Sequence, residues 1–227
     1  MVTQIRPWAV HYKKGLSAVP STRMGYAIVA VKNELNYNGF NIGLNLVTPK
    51  LGKGFDKSAR AFQAAKGLKV DGDIGPVTGK ELIRQRIEAA QVLYHIPENL
   101  LAGQIGWESA YDPAAIFQND TSIDRGPIQA NSVFNANLSD EQAYGYKDSI
   151  PYLAAFQASK ANHYLSCAYD EHKLAVGSWR SPQGADYLCA HPDTPPVSHQ
   201  GQCSDAECWG EQVAYYISKV VGVAAQW

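Results

Sequence analysis

From Tyr26 to Leu93 the chain alternates apolar stripes at helical spacing with turn residues that end them, and this punctuation confines it to a bundle of short helices. Ile28, Val31 and Leu35 recur on one helical face before Asn38-Gly39 supplies a stop. In "DKSARAFQAAKGL" Asp56 is placed to cap, Ala59 and Phe62 face inward, and Gly67 closes the helix. "VDGDIGPVTGKELIRQRIEAAQVL" opens on a glycine-rich turn, sets Pro76 in the first helical turn and continues with Leu82, Ala89 and Leu93. The reading is an irregular lead-in over residues 1–24, a three-helix domain over 25–85, and a second domain over 86–227.

The second domain is expected to be mainly helical with an irregular centre. Pro97-Glu98 starts a helix whose body is Leu100 to Ser109, and the turn-rich "NDTSIDRG" fits a short hairpin. "DSIPYLAAFQASKANHYLSCAY" and "ECWGEQVAYYISKVVGVAAQ" are periodic enough to be helices. Between them, "SPQGADYLCAHPDTPPVSHQGQCSD" reads as a long Pro/Gly/Ser/His-rich loop, functional or cross-linked. Cys167, Cys189, Cys203 and Cys208 allow two disulfides in three pairings. Free thiols, or a zinc site drawing on His191 and His199, are the alternatives, although the spacing matches no familiar zinc pattern.

Charge divides the chain more sharply than composition does. Residues 1–85 hold 13 Lys+Arg against 5 Asp+Glu, and residues 86–227 hold 7 against 16, so a net −1 hides +8 beside −9. The basic part suits an anionic polymer such as a cell wall or a nucleic acid, or is simply a solvated face. No apolar run approaches the roughly 18 residues of a membrane-spanning helix. The first twenty residues lack the continuous apolar centre of a secretory signal, so no membrane partner is expected.

One carboxylate is out of place. In "LLAGQIGWESAYDP" Leu101, Ile105 and Glu108 share a helical stripe just before Asp112-Pro113 ends the helix. A carboxyl group on an apolar face is pushed towards its protonated form, and a protonated carboxyl at neutral pH is a general acid for glycosidic oxygen. The competing reading is a core glutamate paired with an arginine such as Arg125.

Three segments carry resemblances. "GKGFDKSARAFQAAKGLKVDGDIGPVTGKEL" resembles the small peptidoglycan-binding domain of many cell-wall hydrolases: Ala59 to Gln63 give its A-x-x-F-Q core, followed by Gly67-Leu68 and the turn from Val70-Asp71-Gly72 to Gly75-Pro76. Residues 108–132 resemble the catalytic segment of the lysozyme superfamily. Glu108-Ser109 is similar to the helix-end E-S of lysozymes and lytic transglycosylases, and Asp124-x-Gly126-x-x-Gln129-x-Asn131 to the D-x-G-x-x-Q-x-N of animal-type lysozymes. "ESAYDPAA" is closer to the transglycosylases, yet Gly126-Pro127-Ile128-Gln129 stands where they carry G-L-M-Q. In "LAVGSWRSPQGADYL", Trp179 and Arg180 replace the tyrosine and asparagine of their A-Y-N-A-G segment.

The resemblance implies a mainly α fold: a small three-helix wall-binding domain, then an α+β lysozyme-like domain with a short hairpin. It implies a peptidoglycan-degrading enzyme similar to bacteriophage endolysins. Such an enzyme is made in the host cytoplasm and acts on the wall, monomeric, without cofactor or metal and with no nucleic-acid partner. Glu108 would be general acid/base and Asp124 the second carboxylate, with Asp112 and Asp120 weaker candidates; Ser109, Gln129, Asn131 and Trp179 would bind substrate. Three rivals stand beside it. A lytic transglycosylase would close an anhydro ring without water. A chitinase is hinted at by "DRGPIQ", but a second glutamate is missing. The third is a wall-binding or tail-structure protein with no activity.

Overall fold

The computed structural model describes Trp8, residues 11–198 and residues 203–227. The parts of the lead-in at residues 1–7, 9 and 10, and His199, lie outside them. Among the described residues the fold is mainly helical, with one small antiparallel sheet. Its elements are α1 (Arg23–Tyr37), α2 (Lys53–Ala65), α3 (Pro76–Leu93), α4 (Leu100–Ser109), β1 (Ile116–Gln118), β2 (Ile123–Arg125), β3 (Ala130–Asn131), α5 (Asp140–Tyr144), α6 (Tyr146–His163), α7 (Glu171–Arg180), α8 (Pro182–Ala190) and α9 (Ala206–Ala224). No helix among the described residues is long and apolar enough to cross a membrane.

By packing, these elements form two compact units, each drawn from separate stretches of chain. The first contains the described residues up to Ile87 together with Glu108–Pro151. Its three-helix part follows the sequence closely: α1 stops at Asn38, α2 at Lys66 before Gly67, and α3 starts on Pro76. Ile28, Val31, Leu35, Phe55, Ala59, Phe62, Ile74 and Leu82 fill the core. Two details differ from expectation. Gly52, not Asp56, is the N-cap of α2, and Asp56 lies in its first turn. On α3 the buried stripe is Leu82, Ile83, Ile87 and Ala90, whereas Ala89 and Leu93 face out. The spacing of the expected face was helical but its phase was off, because Ile83 and Ile87 bury more apolar area than Ala89.

The A-x-x-F-Q core has a physical basis here. Phe62 meets Phe40 edge-on at 5.4 Å. Gln63 is fully buried, donating to Asp71 Oδ1 at 2.9 Å and the Asp73 carbonyl at 3.0 Å. Its own oxygen accepts from the N–H groups of Asp71 at 3.1 Å and Gly72 at 2.8 Å. One amide thereby satisfies both sides of a turn that has no ladder partners. The Asp71 carboxyl, held by the Asp73 N–H and by Gln63, is lowered from 3.8 to about 2. Elsewhere in this unit Arg86 clamps the buried Glu34 through both carboxylate oxygens at 2.9 and 2.8 Å. Lys32, also buried, donates to the carbonyls of Asn45 and Thr48 and so holds the loop after α1.

Before α1 the described residues of the lead-in form no helix or strand, yet part of it is core. Tyr12 is fully buried and exchanges two backbone hydrogen bonds with Ile74, at 3.1 and 3.0 Å. Trp8 is buried beside it, the two rings edge-to-face at 5.8 Å.

The second unit contains Glu88–Trp107 and Tyr152–Trp227. Tyr164, Leu174, Ala185, Leu188, Val213 and Ile217 form its core. Gln104 on α4 donates to the Tyr216 hydroxyl at 3.0 Å and accepts from Gln157 on α6, which links three buried polar side chains inside an apolar bundle. The stretch expected to be one long loop begins instead with α8. Ser181 caps it by accepting from the Gly184 N–H at 3.2 Å, and Pro182 occupies the first turn. Gly184 is a packing residue: a Cβ there would come within 2.5 Å of the Trp209 carbonyl, so glycine admits α9. Cys167 joins Cys189, and Cys203 joins Cys208, which leaves no thiolate for zinc among the described residues.

Candidate active site

Glu108 is the penultimate residue of α4, half-buried, with buried Ser109 after it. The helix ends abruptly, because Ala110 (φ 53°) and Tyr111 (φ 68°) both adopt the left-handed conformation that side chains disfavour. Buried donors receive the carbonyls this kink turns out. The Trp8 indole N–H donates to the Ala110 carbonyl at 2.7 Å, and the Tyr146 hydroxyl to the Tyr111 carbonyl at 2.6 Å. Asp112, only 6% exposed, accepts the Ala114 N–H at 2.8 Å. Burial, then the neighbouring Asp112 carboxyl, pushes the Tyr12 phenol well above its usual range. The helix that carries Glu108 is thus braced by aromatic residues from the lead-in and from α6.

The hairpin is built with equal care. β1 pairs antiparallel with β2, and β2 with β3, so Phe117, Asp124 and Asn131 lie opposite one another and share a face. Asn131 Nδ2 donates to Asp124 Oδ1 at 2.7 Å and to Ser122 Oγ at 2.9 Å. Its own oxygen accepts from the N–H groups of Val133 and Phe134. Arg125, on the opposite face, is buried and pairs with Asp140 at 2.7 Å, so its charge goes to α5. That is where the arginine weighed as a partner for Glu108 is engaged.

The turn between β2 and β3 explains the G-x-x-Q spacing. Gly126 (φ 70°) lies so close to α5 that a Cβ would come within 2.0 Å of the Ala143 carbonyl. Gln129, itself at φ 50°, donates from its side-chain amide to the Gly126 carbonyl at 2.8 Å. Ser109 closes the assembly: its hydroxyl donates to the Pro127 carbonyl at 2.7 Å, bonding the end of α4 to the hairpin turn.

Glu108, Ser109, Asp124, Gln129 and Asn131 therefore belong to one compact unit. Trp179 belongs to the other, on α7, half-buried and edge-on to Phe156 at 5.0 Å and Tyr152 at 6.5 Å. Asp120 stands at the exposed hairpin tip. Two features escaped sequence reasoning. One is the bracing by Trp8, Tyr12 and Tyr146, which no local pattern announces. The other is Phe134, 87% exposed on a loop pinned by Asn131, where an aromatic beside a polar run was the available signal.

The described residues form a mainly helical chain that joins a three-helix module to a helix-and-hairpin assembly rich in fixed polar groups. More particularly, residues 24–82 match the family model described as a putative peptidoglycan binding domain. The match supports association with the cell wall and peptidoglycan as a partner. No curated protein matches the chain.

Proposed function

We propose that this protein is a peptidoglycan-cleaving glycosidase of the endolysin type, cutting the β-1,4 bond between N-acetylmuramic acid and N-acetylglucosamine. The domain division is part of the proposal: 25–85 anchors to the wall and 86–227 carries the chemistry. The observation that carries it is the clamp from Ser109 to Pro127, which ties the helix end bearing Glu108 to the hairpin on which Asn131 holds Asp124. Two carboxylates on hydrogen-bonded segments, the second opening the D-x-G-x-x-Q-x-N stretch, suit glycoside hydrolysis.

In this reading the Glu108 carboxyl gives its proton to the bridging oxygen as the bond from C1 of N-acetylmuramic acid to that oxygen breaks. The Asp124 carboxylate supports the positive charge that develops at C1. The Glu108 carboxylate then takes a proton from the water that attacks C1, leaving a reducing sugar. Ser109, Gln129 and Asn131 hold the two segments in register. Glu108→Gln keeps the shape and removes the acid, so it should cut release of soluble fragments from sacculi by about 100-fold or more. Undiminished release would end the assignment. The same glutamate suffices for a lytic transglycosylase, and the chemical end group of the fragments separates the two.

A further inference from the structure

We infer that a face of the N-terminal module formed by Lys13, Lys14, Lys50, Lys53 and Lys57 is a binding surface for a linear phosphodiester polymer attached to the wall. The inference rests on the wall-binding reading of this module and gives it a second, electrostatic ligand. Backbone bonds bring the five lysines together. Gly15 donates to the Leu51 carbonyl at 2.7 Å, Leu51 to Leu16 at 2.8 Å and Ala18 to Pro49 at 3.0 Å, so the turn carrying Lys13 and Lys14 pairs with the segment that carries Lys50 and leads into α2. Ser17 stands opposite Lys50 in an antiparallel bridge. Lys53 opens α2, and Lys57 follows one turn later on the same face.

All five are exposed, and none has an ion pair or hydrogen bond from its ammonium group among the described residues. Other cations of the same module are engaged: Arg60 with Asp56, Lys66 with Glu81, Lys69 with Asp71 and Arg86 with Glu34. The placement also works against local stability. Lys53 and Lys57 are like charges four residues apart, in the opening turns of a helix whose dipole disfavours cations there. A local conflict of this kind points to a use beyond folding.

Lysine ammonium groups are compact point charges without the planar fork by which arginine grips a carboxylate. A row of them reads the line charge of a polyanion rather than the shape of a small ligand. In a module that matches a peptidoglycan-binding family, this favours a phosphate-rich wall polymer over a nucleic acid.

The test is cosedimentation of the full chain, on ice, with sacculi that carry a polyol-phosphate polymer and with the same sacculi stripped by hydrofluoric acid. The expected result is binding to the phosphate-bearing sacculi about tenfold tighter at low salt, with the advantage vanishing as salt rises. Changing all five lysines to Gln should erase that advantage and leave binding to stripped sacculi unchanged. A control carrying Gln at the engaged Lys66, Lys69, Lys160, Lys173 and Lys219 has the same net charge and should keep it. Equal wild-type binding to both sacculi would overturn the inference, as would equal loss in the control. So would stronger competition by DNA than by the soluble polymer. No binding to stripped sacculi would instead count against the wall-binding reading, which keeps the two failures apart.

Discussion

Ser109→Ala removes one hydroxyl and tests the link between helix and hairpin. Ser109 is 6% exposed, and its hydroxyl donates to the Pro127 carbonyl at 2.7 Å. Alanine fills nearly the same volume, so cavity formation is minor and the effect is the lost bond plus a carbonyl left without this donor. Such a deletion costs about 1–3 kcal/mol. For a chain of this size each kcal/mol lowers Tm by roughly 2–4 °C. Calorimetry should therefore show a drop of several degrees. Fragment release from sacculi, measured well below the new Tm, should fall further than the folded fraction does, because the hairpin that holds Asp124 loses its tether to the helix that ends beyond Glu108. An unchanged Tm together with unchanged activity would refute the reasoning.

Other perturbations follow from the same packing. Arg86→Met strands the buried Glu34 carboxylate and should cost about 3–5 kcal/mol in chemical denaturation, with much of it recovered in the Glu34→Leu/Arg86→Met double variant; a single-variant loss below about 1 kcal/mol would contradict the pairing. Asp71 has a folded pKa lowered from 3.8 to about 2, so its contribution is complete above the higher value and is lost as pH falls towards the lower one. Asp71→Asn should accordingly flatten the acid limb of stability between those values, and an identical acid limb would refute it. Replacing Cys167 and Cys189 by Ala opens a loop with a sequence separation of 22 and should destabilise the α6–α9 bundle by roughly 3 kcal/mol, read as a lower Tm under non-reducing conditions.

How much of this was legible in the sequence depended on how local the governing interactions are. The helices of the N-terminal module were legible because Asn38, Gly67 and Pro76 act on their own neighbours. The hairpin was legible because β1 and β2 are joined by a short turn-rich tip. Helix α8 was hidden because glycine and proline usually mark loops, whereas here Pro182 begins a helix and Gly184 admits α9, a long-range requirement. The phase of α3 failed for the same reason, since only tertiary packing chooses between Ala89 and Ile87. Within the candidate site, the motif residues could be named in advance, but their bonds could not. That Asn131 reaches Asp124, that Ser109 reaches Pro127, and that Trp8 reaches Ala110 across the chain are properties of the folded backbone.

The most direct test of the central claim is mass spectrometry of the fragments that the protein releases from purified peptidoglycan. The account predicts fragments ending in reducing N-acetylmuramic acid, present with the wild type and absent with Glu108→Gln. Fragments one water lighter, ending in an anhydro sugar, would contradict the hydrolytic role given to Asp124. No fragments at all would contradict the enzyme itself.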